Sequence, residues 1–336
     1  MFAKLDSSYF MDKRNVLARL DDRARLMSAV LAATNFPDKS QERQKHGTHM
    51  HARDTRKLVA EFASHPAVSA LQALLDRNTP LTSIYGYALR LAWPTLEIDE
   101  PPRWVPPHWN EHLKHFYEAT HIDKWWKDDD ESWQAPVRHL NEIFDKVDFY
   151  GFLEPFFGTL PETLVFIPNV SFPTDANVRV RIGAELCLLM PPRKAWGDSA
   201  PWPYDNDPAF VYQEALKAYE ELLLSGYFHQ IPDVIATLSE RPLPVDEKFS
   251  KMHPAWIDQL TGLFTSATVA LFLEEVIDAR EAKAFIQIQQ KMEGLTILPG
   301  VTMLLRRYLD DQKTGKYANF SEYLPTFVKH LRLVKM

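Results

Sequence analysis

One part of this chain reads as β-sheet, and it lies in the middle of a sequence that otherwise reads as helix. LVFIPNVSF, from Leu164, and VRVRIGAELCLLM, from Val178, are rich in β-branched and apolar residues, and Val178–Arg181 alternates cleanly. They predict two or three strands. A proline- and tryptophan-bearing loop over Pro191–Pro208 then delivers the chain into a helix predicted over Asp207–Gly226. Asp207 suits the cap, Pro208 the first helical position, and Gly226 the stop. Val211, Ala215, Ala218, Tyr219 and Leu222 recur at helical spacing and predict an apolar face. Glu220, Gln213, Lys217, Glu221 and Glu214 make a polar arc opposite.

Upstream, residues 13–34 predict a helix with its leucines, Met27 and Val30 on one side. Asn35-Phe-Pro-Asp breaks it. His46, His49 and His51 follow in a polar, basic stretch. Three imidazoles so close suit a transition metal, but Gly47 and the polar neighbours predict a loop with nothing to orient the rings. Helices are predicted over Leu58–Phe62, Ala67–Leu75 and Leu81–Leu91. A proline-rich crossing with Trp93, Trp104 and Trp109 follows; it suits either a peptide groove or a strap covering the core, and the strap is the expectation. Asn110–Tyr117 starts a helix with His112 and His115 one turn apart, and Asp128–Glu131 reads as a solvated helix start. Val137–Val147 is helical, and FYGFLEPFFG reads as a bulky turn.

After Gly226 the chain is almost wholly helical. Ile231–Leu238 is short, and Arg241–Pro254 reads as a linker. Trp256–Met292 is one long helix or two, apolar nearly all round until Glu274, as in a buried helix. Leu295–Leu309 and a last helix ending near Leu333 complete the chain.

At 336 residues the chain is long enough for about two domains of ~150 residues or one two-lobed unit. A division into 1–228 and 229–336 is expected, the two forming one structural unit. The net charge of −7 argues against a broad phosphate-binding surface, hence against nucleic acid as a partner. Cys187 is the only cysteine, so no intramolecular disulfide and no cysteine-rich zinc module can form. No stretch approaches the ~20 apolar residues of a membrane helix, and the N-terminus lacks a signal-peptide core. The expectation is a soluble cytoplasmic protein, which makes the glycosylation patterns at Asn169 and Asn319 coincidences. No glycine-rich phosphate loop and no serine or cysteine nucleophile motif occurs.

Several pieces fit one family by their order along the chain. DDRARLMSAVLAATNFPD and KLVAEFASHPAVSAL come first, then FYEATHIDKWW, FLEPFFG and the paired strands. GLTILPG and YLDDQKTGKYANFSEYLP follow, with the closing helix. From about Leu20 to Leu333 the chain resembles a bacterial group of zincin-like proteins, domain of unknown function 4932. The resemblance implies an α+β, predominantly α-helical, zincin-like two-lobed fold, with a small sheet preceding a central helix that carries H-E-x-x-H. In such a helix two histidines at i and i+4 coordinate zinc, and the glutamate between them takes a proton from metal-bound water.

Laid onto this chain, the two histidine positions are Gln213 and Lys217 and the general-base position is Glu214. The later glutamate corresponds to Glu274, with Asp278 one turn on. An ammonium has no lone pair with which to hold zinc. The resemblance therefore implies a pseudoenzyme without a cofactor, in which Lys217 pairs with Glu214 or Glu274 in place of the ion and the old cleft holds a peptide or protein partner. Two alternatives stand beside it. One is a metal-dependent hydrolase that brings His112, His115, His229 or His253 to Glu214, with zinc as its cofactor; the other is a helical scaffold.

Overall fold

The computed structural model describes residues 14–171 and 177–333. The N-terminal residues read as lacking a signal peptide lie almost wholly outside them. The fold is α+β and predominantly helical.

The chain enters through a short strand, β1 (Leu17–Ala18), which takes the place of the first turns of the helix expected over 13–34. Asp21 starts the helix by accepting from the Arg23 amide, so α1 covers Asp22–Ala32. Around it lie α2 (Phe36–Arg43), α3 (Met50–Val59), α4 (Pro66–Asp76), α5 (Leu81–Ala88) and α6 (Trp109–Thr120). Then come α7 (Ile122–Asp128), α8 (Glu131–Phe144) and α9 (Phe149–Phe157). The last was expected as a bulky turn, and it carries two poor helix formers, Gly151 and Pro155. Phe149, Leu153 and Phe156 are buried at helical spacing, and Asp148 caps the start through the Gly151 amide. Packing outweighs the two breakers.

β2 (Thr163–Pro168), β3 (Val178–Ile182) and β4 (Glu185–Met190) complete a four-stranded sheet in the order β1-β2-β4-β3. β2 lies parallel to both β1 and β4, while β3 runs antiparallel to β4 and forms the edge. The central strands are covered on both faces, which explains their unbroken apolar sequence. Val165, Ile167, Cys187 and Leu189 pack toward α1 and α4–α6. Leu164, Phe166, Leu186 and Leu188 pack toward the other side, against α8, α9 and the helices that follow.

Those helices are α10 (Pro208–Gln230), α11 (Pro232–Ser239), α12 (Glu247–Met252), α13 (Trp256–Val276), α14 (Ala279–Glu293), α15 (Leu298–Lys313) and α16 (Phe320–Leu331). α12 sits in the stretch expected as a linker. The long apolar stretch is two helices, broken where Asp278 caps α14. α13 is long and apolar enough to cross a membrane, yet 67% of that window is buried against its neighbours. α10 supplies side chains to the core beneath the sheet and, through Leu224 and Phe228, to the C-terminal cluster. The expected division at residue 228 falls inside it.

The histidine-rich stretch is more ordered than its composition suggests. His49 caps α3, and His51 is fully buried. Its Nδ1–H donates to Asp129, and its Nε2 accepts from Trp133 Nε1 at 2.9 Å. Asp129, expected in a solvated helix start, is thus the partner that orients the ring. The bonds fix the neutral tautomer, and burial holds the imidazole below its ordinary pKa. Asn169 of the glycosylation pattern is also buried and donates to Ser28 Oγ at 2.7 Å.

Candidate functional site

The Asp207 carboxylate accepts from the Phe210 amide at 3.1 Å and starts α10 as its sequence predicts. The helix does not stop at Gly226. It continues because Phe228 is buried beyond it, and the missing side chain leaves room for Arg181, whose Nη2 would lie 3.7 Å from an added Cβ.

The polar arc of α10 is not a solvated face. Gln213, Glu214, Lys217 and Glu221 are half-buried, and Glu220 is fully buried on the side facing α13. Glu214 accepts from the Asn177 amide nitrogen, just ahead of β3. Glu221 pairs with Arg179 on β3. Burial pushes the Glu214 carboxyl up, against the pull of Lys217, Asn177 and Arg179. It also pushes Glu221 up, against Arg179 and Lys217. Lys217 stands three residues after Glu214 and four before Glu221, so its charge reaches both carboxyls from the same helix side.

Lys217 nevertheless makes no ion pair among the described residues, which corrects the expected contact with Glu214 or Glu274. Asn177 already occupies Glu214. Glu274 is engaged by Arg306 of α15 at 2.5 and 3.2 Å. Asp278 is an N-cap that accepts from Arg280 and Glu281 amides at 2.7 and 2.9 Å. So Gln213, Glu214 and Lys217 are half-buried on one side of α10, while Glu274 and Asp278 serve other parts of the fold.

The histidines are dispersed. His115 Nδ1 meets His65 Nε2 at 2.8 Å across α4 and α6. His229 bonds the Ser225 carbonyl near the far end of α10, about 22 Å along the helix from Glu214. His253 packs tilted against Phe249, with ring centroids 4.5 Å apart. None touches Glu214, and among the described residues no three histidine, cysteine, aspartate or glutamate side chains converge to hold a metal ion.

Glu214 faces a cavity of about 400 Å³ together with Asn177, Met190, Arg193 and Phe210. Arg193 pairs with Asp207 and lies over the Phe210 ring, 4.7 Å from its centroid. A second cavity opens at the other end of β3. Leu222 forms part of its wall, eight residues beyond Glu214 and so about 12 Å along the helix. Between them runs the outer edge of β3, with α10 on one face of the sheet and α5 on the other.

That edge is open. Gly183, at φ 55°, and Ala184 form a two-residue turn that closes on the Ile182–Glu185 pair. A closing pair of this kind exchanges both backbone bonds, and bonded pairs alternate along the ladder. Val178, Val180 and Ile182 therefore bond to β4, and the N–H and C=O groups of Arg179 and Arg181 point outward. No backbone hydrogen bond from the described residues meets them.

Sequence reasoning did not single out Asn177, Arg179 or Arg181. The alternation of VRVRI was the available signal, because it puts both arginines on the face opposite Val178 and Val180. No protein-family profile, curated protein or solved structure matches this chain.

Proposed function

We propose that this protein is a non-catalytic relative of zinc metallopeptidases that holds an extended peptide, or an extended segment of a partner protein, along β3. The open edge of β3 carries the reading: its outward backbone groups can pair with an added strand, and side chains of that strand would alternate between the α5 and α10 sides. The zincin-like resemblance places Gln213, Glu214 and Lys217 where a peptidase would hold and use its metal. The cleft at Glu214 supports binding, and an ammonium at position 217 supports binding without hydrolysis. The hydrolase alternative needs two of His112, His115, His229 and His253 beside Glu214, and they are elsewhere. The scaffold alternative leaves the cleft without a use. A cytoplasmic setting goes with this reading.

Hydrogen exchange tests the claim. Purified protein is panned against displayed random nonapeptides, and exchange is compared with and without the best binder. The Arg179 and Arg181 amides should gain protection. Peptides that bind while leaving both amides unprotected overturn the proposal, as does one tightly held zinc per chain or cleavage of the bound peptide.

A further inference from the structure

The second cavity, about 310 Å³ at the outer edge of β3, has an unusual lining for a chain of net charge −7. Three guanidinium groups, of Arg90, Arg179 and Arg181, border it, and no carboxylate does. Thr82 and Ser83, one turn before Tyr87 on α5, add two hydroxyls, and Tyr87 and Trp104 add aromatic walls. Trp104 meets Tyr87 edge-on at 6.2 Å, and Tyr87 stacks on the buried Trp109 at 5.0 Å, so the aromatic wall is fixed to the core.

The three arginines are not equivalent. Arg179 is paired with Glu221, and Arg181 donates to Glu162 at 2.7 Å and to the Leu222 carbonyl at 3.3 Å. These bonds hold both in place from the α10 side. Each guanidinium has five N–H donors, so neither is exhausted by its partners. Arg90 is exposed and makes no side-chain hydrogen bond or ion pair with the described residues. It stands just past the end of α5. α5 packs directly on the strand: a Cβ on Gly86 would sit 3.6 Å from Val180 Cγ1, in ordinary van der Waals contact. The cavity thus spans the strand edge, with the α5 hydroxyls and Arg90 on one side and Arg179, Arg181 and Leu222 on the other.

We infer that this cavity is a specificity subsite that receives an aspartate or glutamate side chain of the peptide lying on β3. The inference rests on the proposed function and names the class of peptide it selects. Arg90 supplies the charge-assisted bonds, and the Thr82 and Ser83 hydroxyls donate to the remaining carboxylate lone pairs. Arg179 and Arg181 are neutralised by Glu221 and Glu162, so it is the charge of Arg90 that disfavours lysine and arginine at the same position.

The test is a positional-scanning array of nonapeptides, one position fixed at a time, probed with wild type and with Arg90→Ala and Arg90→Lys. In wild type, Asp and Glu should exceed Lys and Arg about tenfold in affinity at one position. Arg90→Ala should flatten that ratio, and Arg90→Lys should keep part of it. Because Arg90 is exposed and unpaired, the melting temperature of the variants should match wild type, so that a lost ratio is not unfolding. Peptides that protect the Arg179 and Arg181 amides but show no acidic preference, or a preference that survives Arg90→Ala, overturn the subsite alone. If no peptide binds, the peptide-holding reading fails and takes the subsite with it. Inorganic phosphate that binds as tightly as the acidic peptide and displaces it overturns the assignment to a peptide side chain.

Discussion

Thr268 on α13 donates its hydroxyl to Glu220 on α10 at 2.6 Å, and the carboxyl that receives it has no contact with solvent. Its other oxygen has no partner among the described residues. Burial drives the carboxyl well above its ordinary pKa, so the fold holds Glu220 in its neutral form.

That arrangement sets a pH dependence. Unfolded, Glu220 releases its proton near ~4.3; folded, it keeps it to higher pH. The native state binds more protons in that window, so this group's contribution to stability falls as pH rises above ~4.3, by at most about 1.4 kcal/mol per pH unit. Glu220→Gln should match wild type near pH 4, exceed it at pH 8, and flatten that part of the profile in urea titrations. Thr268→Val should cost about 1–2 kcal/mol, because the carboxyl loses its only partner among the described residues. A Glu220→Gln variant less stable than wild type at pH 8 would count against a neutral carboxyl.

The His51 site predicts the opposite slope. Its ring is neutral in the fold, wedged between the Asp129 acceptor and the Trp133 donor and stacked on Trp125 at 5.1 Å. With the folded pKa depressed, the unfolded chain takes up a proton first as pH falls below ~6.5, and stability drops with it. His51→Ala should remove that slope. It should also cost about 3 kcal/mol at pH 7.5, since it leaves a cavity and strips the buried Trp133 indole of its acceptor. Urea denaturation at pH 5.5 and 7.5 checks both.

The two positions on α10 that the zincin-like resemblance assigns to metal ligands can be given histidines. Gln213→His with Lys217→His puts two imidazoles one turn apart on a half-buried face. Calorimetry should detect zinc binding in the double variant and not in either single one. The affinity should fall in the micromolar-to-millimolar range, because Glu274 is held by Arg306 and supplies no third ligand. Nanomolar binding would mean that a carboxylate reaches the site after all.

Much of this architecture follows from local sequence. The Asp207 cap, the buried run of α13 and the alternation of β3 depend on neighbours within a turn or a strand, so periodicity and capping chemistry reveal them. β4, apolar after Glu185, was legible as a strand, and its cover on both faces came from the structure. Gly226 and the Gly151/Pro155 pair misled, because burial of Phe228 and of Phe149, Leu153 and Phe156 outweighs one or two poor helix formers.

What surrounds each polar side chain belonged to the tertiary structure. Nothing near Glu274 in sequence points to Arg306, and nothing near His51 points to Asp129. The first pair joins α13 to α15, and the second joins α3 to the turn between α7 and α8. Sequence put Gln213, Glu214 and Lys217 on one side of α10 but could not say that Asn177 and Arg179 would cover that side. The reason is physical. Helical period sets which residues share a face, within about one turn, whereas charge compensation depends on contacts between elements far apart in the chain.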